Sequence, residues 1–186
     1  MASKKYIKDY DLVETEDDKG RARKTAVYHG EYFRVNLEES QVKQLKLQFV
    51  LFFVAVLALH ITAGLVNNPG LYKVYMAIPY TASFLPLFFL GEGILRIPTQ
   101  KRNYRNEEVD LSYQRIVGMS RLYLILMGIG VVGALVYLVF ASNGQALEKE
   151  AIYVGLVLSA ALLIWIIFRR AKSIVIEKEE TPLNSE

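Results

Sequence analysis

The 186-residue chain has no cysteine, only two histidines and a single tryptophan. The lack of cysteine excludes disulfides, thiolate metal sites, thiol nucleophiles and lipidated cysteines together. Only His29 and His60 could serve a histidine-based metal centre, and they are placed in different parts of the chain. No paired carboxylates lie within the apolar segments, so an acid–base pair there has no support either. The first forty residues lack a charged start followed by an apolar run, and no secretory signal is expected. A net charge of +3 comes without a basic patch, so no nucleic-acid partner is expected, and nothing calls for a cofactor.

Apolar sequence in blocks is what the chain has. Hydrophobic residues make up 53% of it, and Phe49–Val66, Val74–Leu90, Leu122–Ser142 and Ala151–Phe168 each run without a formal charge. Each is close to the roughly 20 apolar residues that cross a hydrocarbon core. A buried helix in a water-soluble bundle would usually keep a polar stripe, and these four have none that is continuous. The expected fold is an all-α membrane protein: a four-transmembrane-helix bundle with a small strand-containing cytoplasmic N-terminal appendage. Residues 1–44 form that segment, 45–172 the membrane domain with spans near 49–66, 74–95, 122–142 and 151–168, and 173–186 a cytoplasmic tail.

Lys and Arg set the expected orientation. Arg96, Lys101, Arg102, Arg105, Arg115 and Arg121 fall between the second and third spans, whereas the other two connections hold only Lys73 and Lys149. Lys43 and Lys46 precede the first span, and Arg169, Arg170 and Lys172 follow the last. The positive-inside bias places both termini and the middle loop in the cytoplasm of a multi-pass cell-membrane protein.

Tyr10–Glu16 has strand composition, Asp17-Asp18-Lys19-Gly20 is turn chemistry, and residues 24–35 are again rich in Tyr, Phe and Val. One hairpin is marginal in water, so it should pack against the middle loop, a partner protein or the run Ser173–Ile176. If Ile174 and Ile176 add a third strand to that hairpin, the two chain ends form one cap. Asn36 with Glu39 fits a helix cap before the first span, and Asn106 or Asp110 can cap a helix leading into the third. The acidic, proline-containing stretch 177–186 is expected to be disordered.

Polar groups inside the spans are the candidate functional residues. An ionisable side chain at membrane depth is by default a functional hypothesis, and His60 is the one histidine there. Tyr80, Thr81, Tyr137 and Ser159 fall near its level and are candidate partners for a neutral imidazole. A single interhelical hydrogen bond and a ligand or proton path through this layer are both open readings. Pro79 and Pro86 bracket Tyr80, Thr81 and Ser83 in the second span, and broken helices of this kind line sites in many transporters as well as kinking helices that bind nothing. Glu92, between Gly91 and Gly93, stands four residues before Arg96, a spacing that favours an ion pair. It can also reach for Arg121 or Arg169, or serve as an ion ligand.

Gly128, Gly130 and Gly133 spell a Gly-x-Gly-x-x-Gly string, but no strand precedes it and dinucleotide binding fails on context. Gly130, Gly133 and Ala134 instead suggest a close helix seam, with Gly155 and Ser159 as its match on the fourth span. Tyr72, Tyr75, Tyr123, Tyr153 and Trp165 lie near span ends, as interfacial anchors do. Function is therefore expected to be non-enzymatic: a membrane subunit acting as partner, regulator or protective factor of a larger assembly. The alternative is a small oligomeric transporter or channel with its path near His60. Expected partners are the lipid bilayer and either further copies of the chain or another membrane protein.

Overall fold

A computed structural model describes residues 4–16, 22–100, 103–140 and 147–179, so the turn at Asp17–Gly20 and the tail beyond Glu179 lie outside the described residues. A 3-10 turn (Lys4–Asp9) leads into β1 (Tyr10–Glu16), β2 (Ala22–Tyr28) and β3 (Tyr32–Val35), then α1 (Glu39–Leu65). The second span is α2 (Val74–Ala82) followed by α3 (Phe84–Leu95). After β4 (Asn103–Arg105), a long helix runs through α4 (Asn106–Val109), a π-helical turn (Asp110–Gln114) and α5 (Arg115–Phe140). The chain closes with α6 (Leu147–Lys172) and β5 (Ile176–Glu179). Four helical stretches, Glu39–Leu65, Val74–Leu95, Asn106–Phe140 and Leu147–Lys172, are long and apolar enough to cross a membrane, which makes this a multi-pass membrane protein.

These helices form a closed ring: α1 packs on α6, α6 on α5, α5 on α2 and α3, and α3 back on α1. Phe49, Val56, Ala63, Leu90, Met127, Val157, Ala160 and Ile164 fill its centre. Its outer surface is apolar as well, with Leu51, Val54, Phe88, Ile129, Val132 and Leu162 all exposed. Water would be a poor solvent for such a surface, whereas lipid tails are as apolar as the side chains that meet them.

Several helix ends depart from the sequence expectation, and each has a reason. α1 is capped at Glu38, whose N–H donates to Gln41 Oε1 at 2.9 Å, and not at Asn36. Asn36 is committed elsewhere: its N–H donates to Val175 O and its Oδ1 accepts from Val175 N, both at 3.2 Å. The helix into the third span is capped at Arg105, whose N–H bonds Glu108 Oε2 at 2.9 Å, and not at Asn106 or Asp110. α1 ends on Asn67 with φ of 53°, a left-handed conformation that asparagine tolerates better than other side chains.

At one end of the bundle both chain termini and the middle loop meet in a cap. β5 does join the N-terminal region, but it pairs with β3 instead of extending the β1–β2 hairpin. β4 from the middle loop takes β3's other edge, giving a β4-β3-β5 sheet beside a separate two-stranded β1-β2 sheet. The break at His29–Glu31 turns the chain, so the Tyr- and Phe-rich stretch forms two strands in two sheets. Residues 177–179 are thus a strand, because β3 supplies hydrogen-bonding partners that the isolated acidic tail lacks.

The hairpin is held to the middle loop by tyrosines. Tyr6 donates to Asp110 Oδ2 at 2.6 Å, and the Arg105 guanidinium lies over the rings of Tyr10 and Tyr28. Tyr28 Oη accepts from Asn106 N–H at 3.1 Å and donates to Glu31 O at 2.8 Å. Burial raises the Tyr28 phenol above its ordinary value, so it keeps the donated proton at neutral pH. Tyr28→Phe removes both bonds and should cost the hairpin's docking about 1 kcal/mol. Amide exchange should quicken across residues 10–28 while α1, α5 and α6 keep their protection; unchanged exchange in the hairpin would contradict this attachment.

Candidate functional site

Inside the ring, α1 and the junction of α2 with α3 build a polar cluster around His60. Proline explains why the junction is there. Pro79 lies inside α2 and removes an amide donor there, and Pro86 falls in the first turn of α3, where a missing N–H costs least. Ser83 bridges the two: its N–H bonds Pro79 O at 3.1 Å and its carbonyl accepts from Leu87 N–H at 3.2 Å. The path of the helix is therefore preserved across the break, while the Ser83 side chain turns inward and is fully buried.

The hydrogen bonds fix the histidine tautomer. Ser83 Oγ donates its proton to Tyr80 O at 2.6 Å, so toward His60 Nε2, at 3.1 Å, it can act only as acceptor. Nε2 therefore carries a ring proton, and in the neutral imidazole that a hydrocarbon surrounding favours Nδ1 accepts from the Tyr123 hydroxyl at 3.2 Å. Both ring nitrogens are occupied and the ring is neutral in this arrangement. A second ring proton would drive Nδ1–H against Tyr123 Oη and displace the phenol proton from its acceptor.

Tyr80 completes the enclosure. Its ring stacks on His60 with centroids 4.5 Å apart, and its hydroxyl donates to the His60 carbonyl at 2.7 Å. Phe84 and Tyr123 close two further sides edge-on, at 4.7 and 5.7 Å. Gly64 makes the stack possible, because a Cβ there would lie 2.3 Å from Tyr80 Oη. His60 ends up with no exposed surface.

Of the imidazole partners expected from sequence only Tyr80 meets His60, by stacking and through the backbone carbonyl, while Ser83, a path candidate from the same segment, takes the place at Nε2. Thr81 is exposed and bonds back to Ala77 O at 2.7 Å, while Ser159 is exposed and bonds Gly155 O at 2.8 Å. Both satisfy their hydroxyls within their own helix, as such residues do when they face lipid. Tyr137 is buried, but Tyr123, and not Tyr137, hydrogen-bonds the imidazole. Tyr123 and Tyr153 are core residues and not interfacial anchors, whereas Tyr72, Tyr75 and Trp165 are exposed. Tyr153 packs against Tyr80 with ring centroids 6.2 Å apart.

The glycine seam is also arranged differently. Gly133 brings α5 against α2, where a Cβ would meet Met76 at 3.0 Å and Tyr75 at 3.2 Å, and Gly130 faces Tyr153. Ala134 is fully buried on the same face. Gly155, by contrast, looks onto open space and supplies no matching surface. Large side chains on α2 and α6 fill the room that the α5 glycines leave.

Glu92 lies at the cap end, half buried between two guanidiniums. Arg96 holds Oε1 at 2.7 Å and Arg115 holds Oε2 at 2.5 Å, so the second arginine is neither Arg121 nor Arg169. The flanking glycines allow this placement: Gly91 gives way to the Phe53 ring of α1, and Gly93 to Ile116 of α5. With both oxygens engaged, the carboxylate works as an ion-pair link between α3 and α5.

A third polar group is absent from the sequence expectation. Glu150, in the first turn of α6, is fully buried, with Oε2 accepting from Asn68 Nδ2 at 2.9 Å and Oε1 from Gly70 N–H at 2.7 Å. Asn68 Oδ1 in turn accepts from Leu71 N–H at 3.2 Å and so caps the 3-10 turn Pro69–Tyr72. This clamp ties the first connection to the start of α6. The Asn-Asn-Pro-Gly turn signal and an acid adjoining the start of an apolar block were the available hints.

Fold and polar geometry together define a multi-pass helical membrane protein with an enclosed polar layer and a mixed α/β cap. No known protein family, curated protein or solved structure matches the chain.

Two outcomes follow from this geometry. His60→Phe keeps a ring against Tyr80 but leaves the Tyr123 hydroxyl without its acceptor, which should lower stability by about 1–3 kcal/mol. Adding Tyr123→Phe should recover part of that loss, read by thermal unfolding in mild detergent; strict additivity would show that the pair is not coupled. Glu150→Ala strands two buried donors and should cost about 1–3 kcal/mol for each, whereas Glu150→Gln keeps one acceptor and should lie between it and the wild type in the same assay.

Proposed function

We propose that this protein is a non-enzymatic membrane subunit that serves a larger membrane assembly, with both termini cytoplasmic and the cap as its docking surface. The observation that carries this reading is the β1–β2 hairpin. Leu12 is 72% exposed and Val13 42% exposed, and Val27 joins Val13 on the face turned away from the Tyr10–Tyr28 contact with the middle loop. Among the described residues neither outer edge of this two-stranded sheet is paired. Free edges with apolar side chains are templates for strand addition by another chain. The cationic residues gathered at the same end support its cytoplasmic placement.

The His60 layer supports this reading by being closed: the ring has no exposed surface and no unsatisfied nitrogen. One observation favours a second reading, that of a small transporter or channel. A recess of about 270 Å³ at the end opposite the cap is bordered by Gly64, Asn68, Thr81 and Tyr80, and Tyr80 stacks directly on His60.

Affinity purification of the tagged full-length chain from its native membranes separates the two. Under the subunit reading a second, different membrane protein co-purifies in stoichiometric amount, and the Val13→Lys/Val27→Lys double variant loses it at least tenfold without loss of detergent stability. A homo-oligomer alone, with flux into liposomes that His60→Ala abolishes, would establish the transporter reading instead.

A further inference from the structure

We propose that the groove between α5 and α6 at the cap end binds an anionic phospholipid, with the headgroup phosphate held between Arg121 and Lys172. The groove encloses about 380 Å³. Val117, Ile174 and Ile176 give it an apolar floor, and Arg121 and Lys172 stand at its rim. Both cations are exposed, and neither has an acidic partner within ion-pair distance among the described residues.

That distinguishes them from several other cations at this end. Arg96 and Arg115 are held by Glu92, Lys43 by Glu39 and Lys178 by Glu31. Lys46 caps the carbonyls of Leu95 and Ile97, and Arg170 bonds Gln48. Arg169 lies over the Trp165 ring. Lys172 stands over the Phe168 ring at 6.0 Å, a contact that neutralises no charge, so Arg121 and Lys172 bring two uncompensated charges to one groove. They also border one recess from two different helices, which suits a phosphate that accepts from both.

Position selects a lipid over a soluble anion. Arg121 lies where charged sequence gives way to the uncharged run beginning at Leu122, and Lys172 about one turn past the end of the α6 apolar run at Phe168. Basic pockets between membrane helices at this level match the depth of phospholipid headgroups. Beyond the phosphate, exposed Ile125, one turn along α5 from Arg121, and exposed Trp165 on α6 offer an apolar surface to the acyl chains. Gly118 keeps the recess open, since a Cβ there would meet nothing within 4 Å.

The test uses purified full-length protein in mild detergent and scores co-purified and titrated lipid by native mass spectrometry. Phosphatidylglycerol should be retained over phosphatidylcholine, and Arg121→Gln/Lys172→Gln should weaken its binding about 25-fold, roughly fivefold per cation. Gly118→Phe should weaken it comparably with every charge in place, because the ring projects into the recess and not into the bundle. Lys43→Gln, on the same end but outside the groove, should have no effect, and Arg121→Lys/Lys172→Arg should bind as the wild type does should the neutral variant prove unstable. Equal retention of both lipids, or of phosphatidylglycerol by wild type and variants, would overturn the proposal. So would displacement by millimolar glycerol 3-phosphate, which would make the ligand a soluble phosphate. Partner docking through the hairpin does not enter this measurement, so the two readings fail separately.

Discussion

Hydrocarbon supplies no hydrogen bonds, so each polar group carried into the membrane must be satisfied by protein. That constraint accounts for the arrangement around His60. The imidazole has one donor and one acceptor, and the fold supplies Ser83 for the first and Tyr123 for the second. Ser83 is free to accept only because its own proton goes to Tyr80 O, and Tyr80 is positioned by its bond to the His60 carbonyl. Three helical segments are thereby linked through one ring. Removing any member leaves another without its partner in a place where water cannot replace it.

Close approach is the second requirement, and glycine meets it where a ring must come in. Gly64 admits Tyr80, Gly91 admits Phe53 and Gly133 admits Tyr75 with Met76. In each pair a large side chain of one helix occupies the place of a missing one on its neighbour. Without water to drive helices together, such fitted contacts and interhelical hydrogen bonds are what remain to hold the ring. Gly118 and Gly155 face open space instead, which shows that small size alone does not mark a packing surface.

The four spans, the meeting of both terminal segments and the placement of His60 within a span were legible in the sequence because each rests on a local signal: uncharged blocks, apolar strand runs, an ionisable group in an apolar stretch. Pairings were less so. Ser83 and Tyr80 were within reach of reasoning because the prolines mark their segment, but Tyr123 sits sixty-three positions from His60 and looked like an interfacial anchor. Helix rotation decides between those roles, and composition does not report it. Glu150 was hidden for a different reason: at the edge of an apolar block it reads as an ordinary solvated end, and only the fold of Asn67–Gly70 over it makes it buried. Strand partnership in the cap was likewise out of reach, because β3 could be paired only once β4, seventy residues away in the chain, had been brought to its edge.

Closure of the middle has a consequence for where interactions can occur. The His60 layer and the Glu150 clamp are both saturated with internal hydrogen bonds, and Glu92 is saturated with arginines. Groups whose bonding capacity is filled have little left to offer a ligand without first breaking what they have, at a cost of about 1–3 kcal/mol for each buried group left unmatched. Inside the bundle the Ser120 and Tyr153 hydroxyls are buried without a partner among the described residues, while at the cap the strand edges of β1 and β2 and the cations Arg121 and Lys172 retain capacity. A ligand or partner arriving there meets unspent hydrogen-bonding and charge at no cost to the bundle. The same solvent constraint that closes the His60 layer leaves the cap as an end where polar groups remain open.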